Sequence, residues 1–204
     1  RKQYEEVHTT FDADGWICGR VTFQEHFVKR VRSEEDVAHE YAGPPRDDFV
    51  APGDHTSYAI AVDSSGRLMW ESNDIDGDHV VAVLSERVSD DYLASLRGNH
   101  VSYVLAGAHE VDLGRALEKI RRLFDVKTLM LEGGGRINGG MLRAGLVDEV
   151  SVLIAPVIDG RMGEPALFDE TKALARLTSL TLLGMEKRAG DMLWVRYGVG
   201  LSNQ

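Results

Sequence analysis

The chain has 204 residues, the size of one generous domain or of two small ones. Hydrophobic residues make up 43% of the chain and charged residues 27%, which are ordinary values for a globular protein and exclude wholesale disorder. The 33 Asp and Glu residues outnumber the 23 Lys and Arg residues and give a net charge of −10, which argues against a nucleic-acid partner because its phosphates would be repelled.

Short apolar runs alternate with amphipathic segments along the chain. After a helix predicted over residues 4–11, six apolar runs have the length of strands and lack internal alternation, which is typical of strands covered on both faces. Residues 112–124 predict a helix with one buried stripe and Asp112 as its N-cap. The six runs are residues 15–18, 58–62, 80–84, 101–105, 128–131 and 150–155. Together these elements predict an α/β fold with a mostly parallel central sheet.

The carboxyl-terminal part has a different pattern. Residues 177–187 and 192–198 are strand-like runs joined by residues 188–191, a turn in which Gly190 tolerates a positive φ. They predict an antiparallel hairpin that closes one edge of the fold. Residues 31–56, by contrast, are polar, contain prolines and have little periodicity, which indicates a long loop rather than a domain boundary.

The strongest local signal is a glycine-rich junction between a strand and a helix. Residues 129–131 run through Glu132 into three consecutive glycines and a predicted helix that ends at Gly145. Glycines at such a junction let backbone N–H groups approach an anion, and the helix start adds a partial positive charge. Two more glycines lie inside the helix, where each costs about 1 kcal/mol relative to alanine. A phosphate-binding corner is therefore favoured over a simple turn.

Two other strand ends carry side chains suited to a ligand. After the first strand, Gly19 lets a ligand approach, Arg20 offers a guanidinium group to phosphate, and Thr22 either caps the next helix or donates to an anion. Ser64 follows the second strand. Open α/β sheets bind ligands at the carboxyl ends of their strands. Alone, however, the Gly-Arg-x-Thr segment is more typical of an ordinary helix start, and the Ser64 segment is also compatible with a simple turn.

Other kinds of site receive little support from the sequence. The single Cys18 cannot form an intramolecular disulfide or a metal cluster, and it is compatible with a reducing cytoplasm. The longest apolar run, residues 150–158, is shorter than the roughly 20 residues of a membrane helix. The seven histidines show no metal-ligand spacing, and no nucleophile elbow is present. We expect a soluble cytoplasmic protein without a metal.

The order of these junctions resembles that of a known superfamily. Gly19-Arg20-x-Thr22, then Ser64, then Glu132 with its glycines follow one another as in dihydrofolate reductase-like proteins. The chain is most similar to the C-terminal reductase domain of RibD, the bifunctional protein of bacterial riboflavin biosynthesis, over roughly residues 14–199. The resemblance implies one three-layer dihydrofolate reductase-like domain over residues 1–204 and an oxidoreductase acting on a small molecule.

The resemblance also implies NADPH as the cofactor, bound along the carboxyl edge of the sheet. Glu132 then faces the substrate, where a carboxylate orients donors or moves a proton, although a cap on the glycine loop is an equally compatible role. Arg20, Arg67 and Arg87 would meet the 2′-phosphate that distinguishes NADPH from NADH. The predicted cofactor-binding residues are Gly19, Arg20, Thr22, Ser64, Gly133, Gly134, Gly135, Arg136, Ile137, Asn138, Gly139 and Gly140.

Two elements of the RibD family are not found in the sequence. One is a first strand with a Ser-x-x-Asp-Gly motif, and we expect this strand to be missing from the chain. The other is an Asp-Asp-Pro-x-Leu-x-x-Arg element; residues 24–28 occupy the corresponding position and do not match it. Besides a reductase of the 5-amino-6-(5-phosphoribosylamino)uracil type, two alternatives stay open: a pterin or dihydrofolate reductase, and a nucleotide-binding module without turnover. A homodimer is favoured, through a sheet edge or the terminal hairpin, where residues 192–195 are apolar.

Overall fold

The computed structural model describes residues 2–33, 37, 46–158, 160, 166–169 and 177–200. In chain order its helices and strands are α1 (Lys2–His8), β1 (Gly15–Gly19), α2 (Arg20–His26), β2 (Tyr58–Val62), β3 (Asp74–Ile75), β4 (Asp78–Leu84), α3 (Asp90–Gly98), β5 (Ser102–Leu105), α4 (Leu113–Phe124), β6 (Leu129–Leu131), α5 (Gly135–Arg143), β7 (Glu149–Ile154), β8 (Ser179–Lys187) and β9 (Leu193–Gly200). All eight strands predicted from the sequence are present, and only the two-residue β3 was not predicted.

The central sheet is parallel, as predicted. Its parallel strands lie in the order β5, β4, β2, β1 and β6, with β3 added as an antiparallel hairpin on β4. The strands lack alternation because both faces of the sheet are covered: the side chains of residues 80–84 are completely buried. Parallel pairing brings the carboxyl ends of all five strands to one edge.

Helices cover both faces of this sheet and make a three-layer α/β fold. On one face, Phe23 of α2 and Leu96 of α3 pack with Trp16 and Tyr103 of the strands. On the other face, Ile120 of α4 and Met141 of α5 pack with strand residues such as Ile60. The N-cap predicted for α4 is confirmed, because the Asp112 carboxylate accepts a hydrogen bond from the Arg115 N–H at 3.0 Å.

The terminal hairpin is also confirmed and belongs to a second sheet. The run at residues 150–155, predicted as a strand covered on both faces, is the third strand of this sheet and is only partly buried, so that part of the prediction is wrong. The antiparallel strands lie in the order β7, β9 and β8, and the turn between β8 and β9 contains Gly190 with a φ of +74°. The predicted first helix is shorter than expected, since α1 ends at His8 and a 3₁₀ turn continues to Phe11. Within the described ranges, no helix is long and apolar enough to cross a membrane.

The predicted long loop, residues 31–56, is confirmed over residues 46–56, whereas Val37 is helical. Residues 46–56 form no helix or regular strand, yet they are firmly attached to the sheet. Phe49 forms an antiparallel bridge with Tyr103, and the Lys119 ammonium group donates to the Asp48 carboxylate at 2.8 Å. The earlier part of the loop, residues 34–36 and 38–45, lies outside the described residues.

Candidate active site

The residues predicted to form the site lie at one edge of the central sheet. Glu132 follows β6, Gly19 ends β1 and Ser64 follows β2, and these three strands are adjacent and parallel. The Glu132 N–H donates to the Ile17 carbonyl of β1 at 3.0 Å, which continues the sheet pairing into the glycine junction. The topology therefore brings together the three junctions that the sequence separates by up to 113 positions, from Gly19 to Glu132.

The first two glycines of the junction lie against the start of α2. Gly134 has a φ of +75°, a conformation that favours glycine. A β-carbon on Gly133 would lie 3.2 Å from the Cys18 sulfur and 3.3 Å from Thr22 Oγ1, and one on Gly134 would lie 3.6 Å from Thr22 Oγ1. Thr22 and the glycines thus share one narrow corner. The sequence allowed Thr22 to be a helix cap, and this is wrong, because α2 already begins at Arg20 with Gly19 as N-cap.

The start of α5 suits an anion. Its N-cap is Gly134, which has no side chain to occupy the first N–H groups of the helix, so these groups remain donors at the corner. Gly134 and Arg136 are exposed. Backbone donors and an exposed guanidinium group suit an anion, although the Asp169 carboxylate also lies beside Gly135. The helix ends at Arg143, and Gly145 follows with a φ of +68°.

The third glycine has another neighbour, a short described segment at residues 166–169 that we call the strap. The Asp169 N–H donates to the Gly135 carbonyl at 2.8 Å, and the Asn138 amide donates to the Leu167 carbonyl at 2.9 Å. A β-carbon on Gly135 would lie 2.6 Å from both the Ala166 carbonyl oxygen and the Asp169 carboxylate. Gly135 is therefore required for the close approach of the strap, whether or not it also contacts a ligand.

We expect Gly135→Ala to lower the free energy of unfolding by about 1–3 kcal/mol, because the added methyl group overlaps a backbone oxygen that a side-chain movement cannot relieve. Gly140→Ala is the matched control in the same helix. Its β-carbon would meet only Leu113 at an ordinary 3.4 Å, so alanine should raise stability by up to about 1 kcal/mol. Urea unfolding of both variants checks this, and equal effects would contradict the proposed strap contact.

The remaining predicted cofactor residues are positioned as follows. Ile137 packs against Gly19, and Gly140 packs against α4, so part of the glycine content serves contacts between helices and strands. The Arg20 guanidinium group donates to the Gln24 side chain at 2.6 Å along α2. Gly139 is buried within α5. Their contact with a cofactor stays a prediction.

The end of β2 is held by the end of β4. The Ser64 carbonyl accepts from the Ser85 N–H at 3.1 Å and from its hydroxyl group at 2.7 Å. Beside it, the buried Asp63 carboxylate accepts from the Leu68 N–H at 2.8 Å, and burial raises the pKa of this carboxyl above its usual range. Ser85 follows β4 in a segment whose sequence favours a simple turn, and no role was predicted for Asp63. In the structure, Ser85 holds the Ser64 carbonyl and Asp63 anchors the turn after β2.

Glu132 is the acidic group at the centre of the site. Only 17% of its side chain is exposed, and burial raises the pKa of its carboxyl, with a smaller contribution in the same direction from Asp78. Two residues of α1 oppose this rise: His8 Nε2 lies 3.1 Å from Glu132 Oε1, and the Tyr4 hydroxyl group donates a hydrogen bond to the carboxylate. Burial and Glu132 raise the pKa of the neighbouring Cys18 thiol to about 12, which leaves it protonated and unreactive.

The sequence analysis missed Tyr4 and His8. They are four residues apart in the predicted first helix and so lie on the same face, which was the available signal. Nothing in the pattern indicated that this face packs on Glu132, because the contact joins elements more than 120 residues apart in the chain, from His8 to Glu132.

A cavity of about 500 Å³ lies beside the glycine corner, between β6 and β7. Its walls are mostly apolar, and Asn138 and the strap residues Leu167 and Phe168 also contribute to its lining. Among the described strands, β6 pairs only with β1 and β7 only with β9, so the cavity separates the parallel sheet from the antiparallel sheet. The strap therefore contacts both this cavity and the start of α5.

Comparison with known proteins identifies relatives of the whole arrangement. The profile of the RibD C-terminal domain matches residues 3–194. A 2,5-diamino-6-ribosylamino-4(3H)-pyrimidinone 5′-phosphate reductase from Methanothermobacter thermautotrophicus is 37% identical over 121 residues, which are 59% of this chain and 55% of that protein. The chain thus matches about half the length of this relative.

Solved structures share the fold. A pyrimidine reductase-like protein from Corynebacterium diphtheriae superposes with a TM-score of 0.64 at 18% identity, covering 92% of this chain and 76% of that one. A diaminohydroxyphosphoribosylaminopyrimidine deaminase/5-amino-6-(5-phosphoribosylamino)uracil reductase from Thermotoga maritima gives a TM-score of 0.58 at 12% identity, covering 98% and 49%. The fold is therefore dihydrofolate reductase-like.

Proposed function

The chain belongs to the RibD C-terminal domain family, and we propose that it is an NADPH-dependent reductase of a small heterocyclic or sugar-linked metabolite. The observation that carries the proposal is Glu132, a mostly buried carboxyl group whose pKa is raised, placed directly before the glycine corner. A carboxyl group whose burial favours its neutral form, placed beside a phosphate-binding corner, suits a reduction, because the acceptor takes up a proton as well as a hydride.

The cofactor would be held by the corner and its neighbours. The start of α5 with Gly133 and Gly134 binds the diphosphate, and Thr22 donates to it from α2. Ser64 and the arginines Arg20, Arg67 and Arg87 bind the adenosine end, where guanidinium groups favour the 2′-phosphate of NADPH over the hydroxyl group of NADH. When bound, the reduced nicotinamide supplies a hydride to the acceptor carbon.

The substrate we propose is 2,5-diamino-6-ribosylamino-4(3H)-pyrimidinone 5′-phosphate, the compound in the name of the relative from Methanothermobacter thermautotrophicus. In its open form the ribosylamino group contains a C=N bond that accepts a hydride at carbon and a proton at nitrogen. Glu132 donates the proton and then, as a carboxylate, holds the amino groups of the product. We further propose that the reaction takes place in the cytoplasm, in accord with one buried, unpaired cysteine.

Steady-state oxidation of NADPH by the purified chain with this pyrimidinone tests the proposal. We expect turnover with NADPH, and binding of NADPH about tenfold tighter than of NADH in a fluorescence titration, because a charge-assisted contact to the 2′-phosphate is lost with NADH. Turnover with dihydrofolate alone would support the pterin reductase alternative. If the chain binds NADPH tightly but neither the pyrimidinone nor dihydrofolate causes NADPH oxidation, the result supports a nucleotide-binding module without turnover.

We also propose that the protein is a homodimer that pairs through one face of the antiparallel sheet. Cross-strand pairs share a face, and the pairs of Val195 with Met185 and of Tyr197 with Leu182 place apolar residues of β9 and β8 on the same side. Five large apolar side chains on this face are 37–64% exposed: Ile154, Leu180, Leu182, Met185 and Leu193. A contiguous apolar face of this kind is typical of a subunit interface, and a second copy presents the same surface.

Leu182→Glu is expected to convert the dimer to a monomer in light scattering coupled to size exclusion, because it buries a charge at the centre of this face. Thr181→Glu is the matched control, since Thr181 lies on the same strand but pairs with Gly198 on the opposite face. A monomeric unaltered chain, or equal dissociation of both variants, would contradict the proposed interface.

A further inference from the structure

Helix α1 lies over the acidic group of the site. It carries Tyr4 and His8 one helical turn apart, and both side chains reach Glu132, as described above. Glu132 directly precedes the glycines of the corner, so α1 contributes groups that influence how this carboxyl gains and loses its proton.

Exposure increases from Glu132 to the helix surface. The Glu132 side chain is 17% exposed and the His8 side chain is 37% exposed, and 3.1 Å separate Glu132 Oε1 from His8 Nε2. A buried acid that has given its proton to a substrate is poorly placed to recover one from bulk water. His8 Nε2 lies at ion-pair distance from Glu132 Oε1, an oxygen that has no hydrogen-bond partner among the described residues, and the ring is partly exposed to solvent. This is a suitable position for a relay.

We propose that His8 restores the proton of Glu132 after each turnover and so acts as a positioning and proton-relay residue. The proposal rests on the proposed reductase function.

In the reaction the acceptor carbon gains the hydride with its two electrons, the π electrons of the C=N bond move to nitrogen, and nitrogen takes the proton of the Glu132 carboxyl group. The nicotinamide is oxidised and the C=N bond is reduced. The His8 imidazolium then gives its Nε2 proton to the Glu132 carboxylate and takes another from water, so each turnover consumes one solvent proton.

The other groups around Glu132 are not suited to this task. The pKa of the Tyr4 hydroxyl group is raised by burial and by the neighbouring carboxylate, so Tyr4 stays protonated and serves as a hydrogen-bond donor. The Cys18 thiol, with a pKa of about 12, also stays protonated. Asp78 is a like charge that opposes ionisation of Glu132. Among the described residues facing Glu132, only His8 carries an imidazole, a side chain that can both give and take a proton.

His8→Gln tests the relay through the pH profile of turnover. The relay needs the imidazolium form of His8, so in the unaltered chain turnover should decrease towards alkaline pH. In His8→Gln this limb should disappear and turnover at neutral pH should be at least about tenfold lower, with NADPH affinity unchanged. Because His8 is partly exposed, added imidazole should restore turnover in His8→Gly. His26→Gln, an exposed histidine at the end of α2, is the matched control and should behave as the unaltered chain.

An infrared titration of the cofactor-free chain gives a readout that does not depend on activity. The Glu132 carboxyl band is identified by its absence in Glu132→Gln. In His8→Gln the pH midpoint at which this band is lost should be higher, because the positive charge of His8 no longer favours the carboxylate. A uniform loss of turnover at every pH, or an unchanged profile and an unmoved band, overturns the relay while the reductase function stands. No turnover by the unaltered chain contradicts the proposed function, and the relay with it.

Discussion

Replacing Glu132 by glutamine should lower turnover about 10²- to 10⁴-fold, the usual contribution of a positioned acid or base. Glutamine has nearly the same shape and keeps a partner for the Tyr4 hydroxyl group, but it cannot give a proton to the acceptor. The glycine corner and Thr22 are unaffected, so the affinity for NADPH should stay within a few fold. Steady-state kinetics together with a fluorescence titration of NADPH separate the two effects.

Glu118→Gln is the matched control, because Glu118 lies exposed on α4 away from the site and the change removes the same charge. A cap on the glycine loop was the other role open to Glu132. If Glu132 only stabilised that loop, Glu132→Gln would weaken NADPH binding and stability while turnover at saturating cofactor remained. That outcome would remove the acid from the proposed mechanism.

The fold was largely predictable because its determinants are local. Buried parallel strands must be apolar throughout, as residues 58–62 and 80–84 are, and such runs are visible without any knowledge of the partner strand. The α4 helix likewise carries its own start signal in Asp112 and its own stripe in Ile120 and Phe124. The short β3 was missed because two residues have no periodicity.

The site was only partly predictable because its contacts are not local. Glycines at a strand end indicated the corner, and parallel pairing then brought Thr22 to it. The strap that explains Gly135 comes from residues 166–169, and His8 comes from the opposite end of the chain. A glycine in a sequence shows that a side chain is not tolerated, but it does not show whether a ligand or another segment of the same chain fills the space.

A stacked pair of histidines, of which His79 is buried, lies at the opposite, amino-terminal end of the parallel strands. His79, at the start of β4, is 2% exposed, and its Nε2 lies 2.7 Å from the Ser102 hydroxyl oxygen. The His55 ring stacks on the His79 ring with centroids 3.7 Å apart. Burial, and next the charge of His55, lower the pKa of His79 to about 4, and the Asn73 backbone and Asp74 offset this only in part.

The folded protein should lose about 3 kcal/mol of stability at this one site as the pH falls from about 6.5 to about 4. The sign follows from proton binding: in this window the unfolded chain protonates His79 and the folded chain does not, so protons favour the unfolded state. Urea unfolding at a series of pH values measures the loss. His79→Gln can still hydrogen-bond to Ser102, but its free energy of unfolding should not show this pH-dependent decrease.

The difference in stability loss between the unaltered chain and His79→Gln gives the contribution of His79 alone. This difference is needed because carboxyl groups also titrate near the lower end of the pH window. Asp14, whose carboxylate accepts from the N–H groups of Lys127 and Thr128, has a lowered pKa and so contributes its loss of stability below the usual Asp range. His26→Gln removes an exposed histidine and should retain the full loss. If His79→Gln loses as much stability as the unaltered chain over this window, then His79 is protonated in the folded state and the stacked pair tolerates its charge.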